Sequence, residues 1–515
     1  MLYPFHIFRK YKVILSIIGF IILSLIILFF SKNLSLSERF SDEINHFVGG
    51  HYLLEGKKLY SDYQLNHQPL IYYYSALVEL LSSPDSLYYY ISFQRLSIAL
   101  YSITWHGIFL LLFGPVALLL SFIFELNKFT FSGYKLLGET IATYPLIAIF
   151  GLFLQQLLFK KEFSKKILIF LSVCIFIINF SLLPLWIVSI PILLYFLWHY
   201  KKNRNNLVAL LLPGALLTGI LFIFVPFKDW VNDTLIYSVN YFLPLTVGMR
   251  STKLEIILIP FYVFLPPYSL YKGIVLGFFS IIALNTFVLF KEKELYVLAF
   301  LIFFLYASNL RVGDKDFGSF HLFPWFGILS ISAIILTTYL FSKKKYIKFQ
   351  LYTIAILAFI LIESFIHPTL YQLKNLTTEY YNNYSESETY GDAIYLLKDD
   401  NDRLIVVPVD SLIYWEAQIE PGTHLLEYYP WVYPIPEYQY DVQDVFISNP
   451  PEFFINVGLN QSDETEKFIQ NIVVTQYVQI NHVGKPSKLY ILNSKMTEIT
   501  DKQWKELEGK LFTRP

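Results

Sequence analysis

The chain has 515 residues, 55% hydrophobic and 16% charged, with 40 basic and 40 acidic side chains that cancel to no net charge. That balance lies far from the soluble average, and the neutral sum gives no electrostatic sign of a nucleic-acid partner. The one cysteine, Cys174, sits inside an apolar run, which excludes an intramolecular disulfide and a thiolate metal centre.

Val13–Ser31 carries no charge and reaches the roughly 20 residues that cross a bilayer core. Arg9, Lys10 and Lys12 precede it, as basic residues precede a signal peptide. The run is too long for a signal h-region and lacks a small-x-small cleavage site, so it predicts a retained transmembrane helix.

The stretch SERFSDEINHFVGGHYLLEGKKLYSDYQLNHQPLIYYY follows, with Asp42 and Glu43 side by side. Ile44, Phe47 and Val48 have helical spacing, which places the acidic pair near a helix N-terminus, where carboxylates are favoured. QPLIYYYSALVELL predicts a second short amphipathic helix, and two such helices predict a loop that lies on the membrane. The plain alternative is that the two carboxylates only solvate a loop.

Ten further apolar runs predict spans: Leu87–Leu112, Gly114–Leu126, Thr140–Phe159, Ile167–Ile178, Leu182–Trp198, Leu207–Pro226, Gly273–Phe290, Leu295–Ser308, Leu322–Phe341 and Phe349–Ile366. Gly114–Leu126 is short for a crossing. Ile256–Tyr271 is apolar but broken by Pro260, Pro266 and Pro267, which predicts an interfacial or re-entrant piece. The basic clusters FRKYK (8–12), KKEFSKK (160–166), KKNR (201–204), KEKE (291–294) and SKKKYIK (342–348) all fall on one side if there are eleven spans. The bias of lysine and arginine makes that side the cytoplasm. Without the short span the last four would lie outside.

Opposite the basic clusters lie Lys32–Ser86, Asn127–Glu139, Phe227–Leu254, Asn309–His321 and the tail from His367 to Pro515. In the tail RLIVVPV (403–409), EFFINVG (452–458) and KLYIL (488–492) predict strands, while DETEKFIQNI (463–472) and DKQWKELEGKLF (501–512) predict helices. The expected architecture is an all-α polytopic membrane domain over 1–366, including the external loop 32–86, followed by a small extracytoplasmic α/β domain over 367–515.

Other polar groups fall on the external side. They are Glu139 at the mouth of a span, Arg311, Lys315, Asp316 and His321 in NLRVGDKDFGSFH, and Arg95 within an otherwise uncharged run. An ionisable group in hydrocarbon suggests function, although Arg95 near a helix end could snorkel. Carboxylates beside cations suit an amphiphilic phosphate substrate: cations hold the phosphate and a carboxylate serves as general base on an acceptor. Neither a Walker loop, an HExxH sequence nor Cys/His metal spacing occurs. In LLEYYPWVYPIPEYQY (425–440), Tyr429, Trp431 and Tyr433 offer faces for an acceptor sugar or for the interface, or pack on their own domain.

Asp42, Glu43, Gly56, Tyr60, Asp62, His67, Pro69, Leu70 and Tyr72, with Arg95 in LYYYISFQRLSIAL and Glu139 in GYKLLGETIA, form a pattern that resembles the GT-C superfamily. The nearest branch is the bacterial relatives of protein O-mannosyltransferases and of the lipid A aminoarabinose transferase, glycosyltransferase family 39-like. The likeness covers 1–366, and its specific motifs lie mainly in the first 145 residues. HQP stands where the family commonly has HPP, and Glu139 where aspartate is also common.

The resemblance implies transfer of a sugar from a polyprenyl-phosphate carrier to an envelope acceptor (lipid, glycan or protein), with inversion, at the outer face of the bacterial plasma membrane. It implies that Asp42 is the general base and that Glu43 positions substrate or tunes Asp42. Arg311, with Lys315 or His321, would neutralise the departing phosphate; Arg95 is a further phosphate candidate, and His67 would shape the loop that caps the site. No cofactor is implied, although Asp42, Glu139 and His321 could share a divalent metal. A transporter or flippase for lipid-linked sugars, or an inactive partner in envelope-polysaccharide assembly, is the alternative. A transporter would show midplane polar groups and repeats, whereas the charges read here gather at one face and no repeat is visible.

Overall fold

In hydrocarbon a long apolar run is stable as a helix, because a helix satisfies every backbone polar group internally. The computed structural model describes residues 3–242, 244, 272–309, 319–366, 372–428, 432, 434–458 and 464–514. Among the described residues eight helices are long and apolar enough, by length and composition, to cross a membrane. Three of the eleven expected spans are shorter: Val116–Lys128 has 13 residues, Lys165–Ser181 has 17 and Tyr296–Ala307 has 12. Ile256–Tyr271 lies outside the described residues.

The chain divides into two compact units. The helical unit comprises Met1–Ser35, Arg95–Leu221 and Arg250–Leu373. Helices Gly138–Phe159 and Phe320–Ser342 form its centre: their apolar windows are 94% and 100% buried, against 17% for Arg204–Phe224 and 22% for Val13–Leu34. Small residues let this central pair approach. A Cβ on Gly327 would meet Thr143 Cγ2 at 2.9 Å.

Helix Val116–Lys128 folds back from Phe113 through Gly114, whose φ of +73° is readily accessible only to glycine, and Pro115. His106 then faces Glu125. At one end of the unit three of the basic clusters meet through acidic partners. Lys160 lies 3.5 Å from Glu294, and Lys343 and Lys345 lie 3.3 and 2.6 Å from Glu292.

The second unit comprises Leu36–Gln94, Phe222–Met249 and Lys374–Pro515, so the tail folds together with the first loop and a segment from mid-chain. Its sheet has strands β1 (Arg403–Val407), β2 (Glu420–Pro421), β3 (Phe453–Asn456), β4 (Tyr477–His482), β5 (Lys485–Leu492) and β6 (Phe512–Thr513), in the order β2-β1-β3-β5-β4-β6. β1 runs parallel to β2 and β3, and the remaining pairs are antiparallel. All three expected strands and both expected helices are present, the helices as Glu464–Gln476 and Asp501–Glu508. Ile405, Val407, Phe446, Phe454 and Ile469 form the core on one face of the sheet, with Tyr237 and Tyr241 packed against it.

Candidate functional site

Helix Ser41–Leu54 begins after Phe40, which offers no side-chain cap, and carries Asp42 and Glu43 in its first turn. Two carboxylates there face the unsatisfied N–H groups and the positive end of the helix dipole. The helix is not the half-exposed element expected from its spacing. Every residue from Glu43 to Tyr52 is buried, because polar and apolar faces alike find partners within the unit. Asn45 Nδ2 donates to Glu427 Oε2 at 2.8 Å, and Tyr52 donates to the Ile419 carbonyl at 2.9 Å. His51 Nδ1 lies 2.7 Å from Glu79 Oε1.

Gly49 and Gly50 let helix Pro69–Ser82 close against it, with Tyr72 and Ser75 where side chains would otherwise stand. Glu79 ties the assembly further by accepting from Trp415 Nε1 at 3.1 Å and from the Tyr90 hydroxyl at 3.2 Å.

The acidic pair is asymmetric. Glu43 is wholly buried, whereas the Asp42 side chain is 30% exposed and has His67 Nε2 at 3.9 Å from its Oδ2. That separation is electrostatic rather than a hydrogen bond. The His67 ring stands edge-on to His46 at 4.7 Å, and His46 edge-on to Tyr72 at 5.5 Å. Burial, with the carboxylates of Glu427 and Asp42 nearby, pushes the Tyr72 phenol well up, so it stays protonated and able to donate. Asp42, Glu43 and His67 are thus brought together, and Glu427, Asn45, His46 and Tyr72 join them. The sequence held no signal for Glu427, which lies more than 380 residues from its partner Asn45.

The helical unit holds the other described candidates. His321 Nδ1 lies 2.7 Å from Glu139 Oε1, both buried. Arg95 does not snorkel: it is 1% exposed, donates to the Ser35 carbonyl at 3.3 Å and lies 5.7 Å from the Tyr134 ring centre. Lys135, not singled out by sequence, is also buried and stands 5.5 Å from the same ring. Arg311, Lys315, Tyr429, Trp431 and Tyr433 lie outside the described residues. Among the described residues no three His, Cys, Asp or Glu side chains gather to hold a metal ion.

A buried charged cluster escaped the sequence reading. Glu125 meets His106 Nε2 at 2.6 Å, Lys128 Nζ at 2.5 Å and the Tyr144 hydroxyl at 2.8 Å, and all four residues are within 1% of full burial. The local signal was Glu125 and Lys128, three apart in an otherwise apolar helix.

No family model matches the chain, and no curated protein matches its sequence.

Proposed function

We propose that the chain is a multi-pass membrane glycosyltransferase of the GT-C type. It moves a sugar from a polyprenyl-phosphate carrier to an acceptor hydroxyl on the extracytoplasmic side of a bacterial plasma membrane. The observation that carries this reading is the asymmetry of the acidic pair: of two adjacent carboxylates one is sealed in and the other is open, with an imidazole beside it. An open carboxylate at a helix N-terminus can accept a proton from a hydroxyl as that oxygen attacks.

In the proposed step the acceptor oxygen forms its bond to the anomeric carbon from the face opposite the carrier. The bond from that carbon to the phosphate oxygen breaks, its electron pair leaves with polyprenyl phosphate, and the acceptor proton passes to Asp42. Inversion follows from single displacement. Glu43 holds the helix turn that presents Asp42, and His67 orients the Asp42 carboxylate. The leaving phosphate gains negative charge, which buried cations stabilise more strongly than exposed ones.

The test offers purified protein a panel of polyprenyl-phosphate sugars with membrane extract as acceptor. Wild type should release polyprenyl phosphate, and folded Asp42→Asn should lose at least about 100-fold of that rate, the usual share of a general base. Equal release by both would remove Asp42 from the chemistry.

One observation favours the transporter instead, the His106–Glu125–Lys128 cluster inside the helical unit, since transporters keep ionisable groups there. Movement of a lipid-linked sugar across vesicles without carrier release would establish that reading.

A further inference from the structure

Among the described residues of the second unit, two open clefts of about 380 and 300 Å³ share His424 and Asp441. Each lies at the low end of the range for small-ligand sites. The first is lined by Asp229, Asp233 and Tyr237 from the mid-chain segment and by Glu437 and Tyr438 from helix Pro436–Ser448. The second is lined by Lys57, Asp62 and Tyr63 from the first loop and by Glu420.

Six carboxylates face these clefts, and the one lysine is already paired with Glu420 at 2.5 Å. Burial holds the His424 imidazole below its ordinary range, so it adds little positive charge. An anionic ligand is repelled from such a surface.

A second observation, independent of the charge, points to a ligand. Tyr63 is 2% exposed, and its hydroxyl has no hydrogen-bond partner among the described residues. Its phenol feels Asp62 and Glu420, both lining the same cleft, and burial keeps it protonated. A buried hydroxyl left unpaired is destabilising and rare in native structures. The wall formed by the mid-chain segment is also unusual, since Asn232–Ile236 and Ser238–Phe242 are π-helical, a geometry that concentrates at functional sites.

We propose that these clefts bind an amine-bearing saccharide, and that the Tyr63 hydroxyl donates to one of its oxygens. The carboxylates match protonated amines and hydroxyl donors, and the half-buried Tyr237 offers an apolar ring to the sugar. The assignment of this saccharide as an acceptor segment rests on the glycosyltransferase reading.

The test is calorimetric titration of the full chain in detergent with three probes: a glucosamine tetramer, its fully N-acetylated counterpart and tetralysine. The glucosamine tetramer should bind, and the acetylated tetramer should bind at least about tenfold more weakly, as loss of a charge-assisted hydrogen bond predicts. Tetralysine, which keeps the ammonium groups but offers no sugar oxygen to the Tyr63 hydroxyl, should also bind more weakly. Tyr63→Phe should weaken the tetramer roughly two- to tenfold, the worth of one hydrogen bond, with a melting temperature equal to or above wild type. A merely structural tyrosine would leave binding unmoved. Glu437→Gln should weaken binding as well.

Failure of the folded protein to bind the tetramer overturns the proposal, as does full-strength binding by Tyr63→Phe. Tetralysine binding as tightly as the tetramer would make the clefts a basic-peptide surface instead. Tetramer binding by a protein that transfers no sugar would retire the glycosyltransferase and keep the clefts; sugar transfer without tetramer binding would do the reverse.

Discussion

Gly50→Ala tests how the helix that carries Asp42 is held. An ideal Cβ at Gly50 would stand 2.7 Å from Ser75 Cβ and 2.8 Å from the Ala76 backbone nitrogen. Side-chain contacts can be relieved by rotation, but the Ala76 nitrogen belongs to helix Pro69–Ser82 and moves only if that helix moves. Overpacking of a filled interior costs about 1–3 kcal/mol, and a rigid backbone neighbour places this site at the upper end. Alanine recovers about 1 kcal/mol through its better helix propensity. The net loss is therefore about 2 kcal/mol, which lowers the melting temperature by roughly 4–8 °C in a domain of 150–250 residues.

The assay is tryptophan-fluorescence melting of detergent-purified protein, with Gly219→Ala as control. Nothing lies within 4 Å of a Cβ at Gly219, inside helix Arg204–Phe224, so that variant should keep the propensity gain of about 1 kcal/mol uncancelled and melt at or slightly above wild type. Gly50→Ala melting at or above wild type would refute the close-packing argument, and with it the claim that this helix pair fixes the position of Asp42.

Two further outcomes follow from buried charge. Burial raises the Asp233 carboxyl to about 7, although it accepts from the Tyr438 hydroxyl at 2.7 Å and from the Leu65 N–H at 3.2 Å. The folded state then holds this proton after the unfolded chain has released it, so stability falls as pH rises from about 4 to about 7 and is level above, by at most roughly 4 kcal/mol. Asp233→Asn should flatten that slope, and its melting temperature relative to wild type should rise with pH over the same window; a constant difference would contradict the assignment. Glu125→Gln leaves the Lys128 ammonium without its countercharge inside the helical unit and should cost about 3–5 kcal/mol. Glu125→Gln/Lys128→Met should recover most of that loss in the same melting assay, and a double variant no better than the single would refute mutual charge compensation.

Much was legible in the residues because it depends on local composition. The long apolar runs dictate helices wherever they lie, since an unpaired backbone is too costly in hydrocarbon. Alternation and helical spacing located the strands and helices of the tail, and the acidic pair falls in a first helical turn as its position before Ile44 and Phe47 implies. What the sequence could not supply was partnership. Glu139 meets His321 across 182 residues, and Asp233 meets Tyr438 across 205. The compact unit around Asp42 draws on three separated stretches of chain.

Periodicity reports that a face is apolar, not which element will cover it. For that reason Ser41–Leu54 looked half-exposed in sequence and is buried on every side once Glu427, Ile419 and Tyr72 pack around it. The same limit governs the acidic pair. Two adjacent carboxylates are equivalent in sequence, and only tertiary packing, which turns one of them inward, leaves Asp42 the open member of the pair.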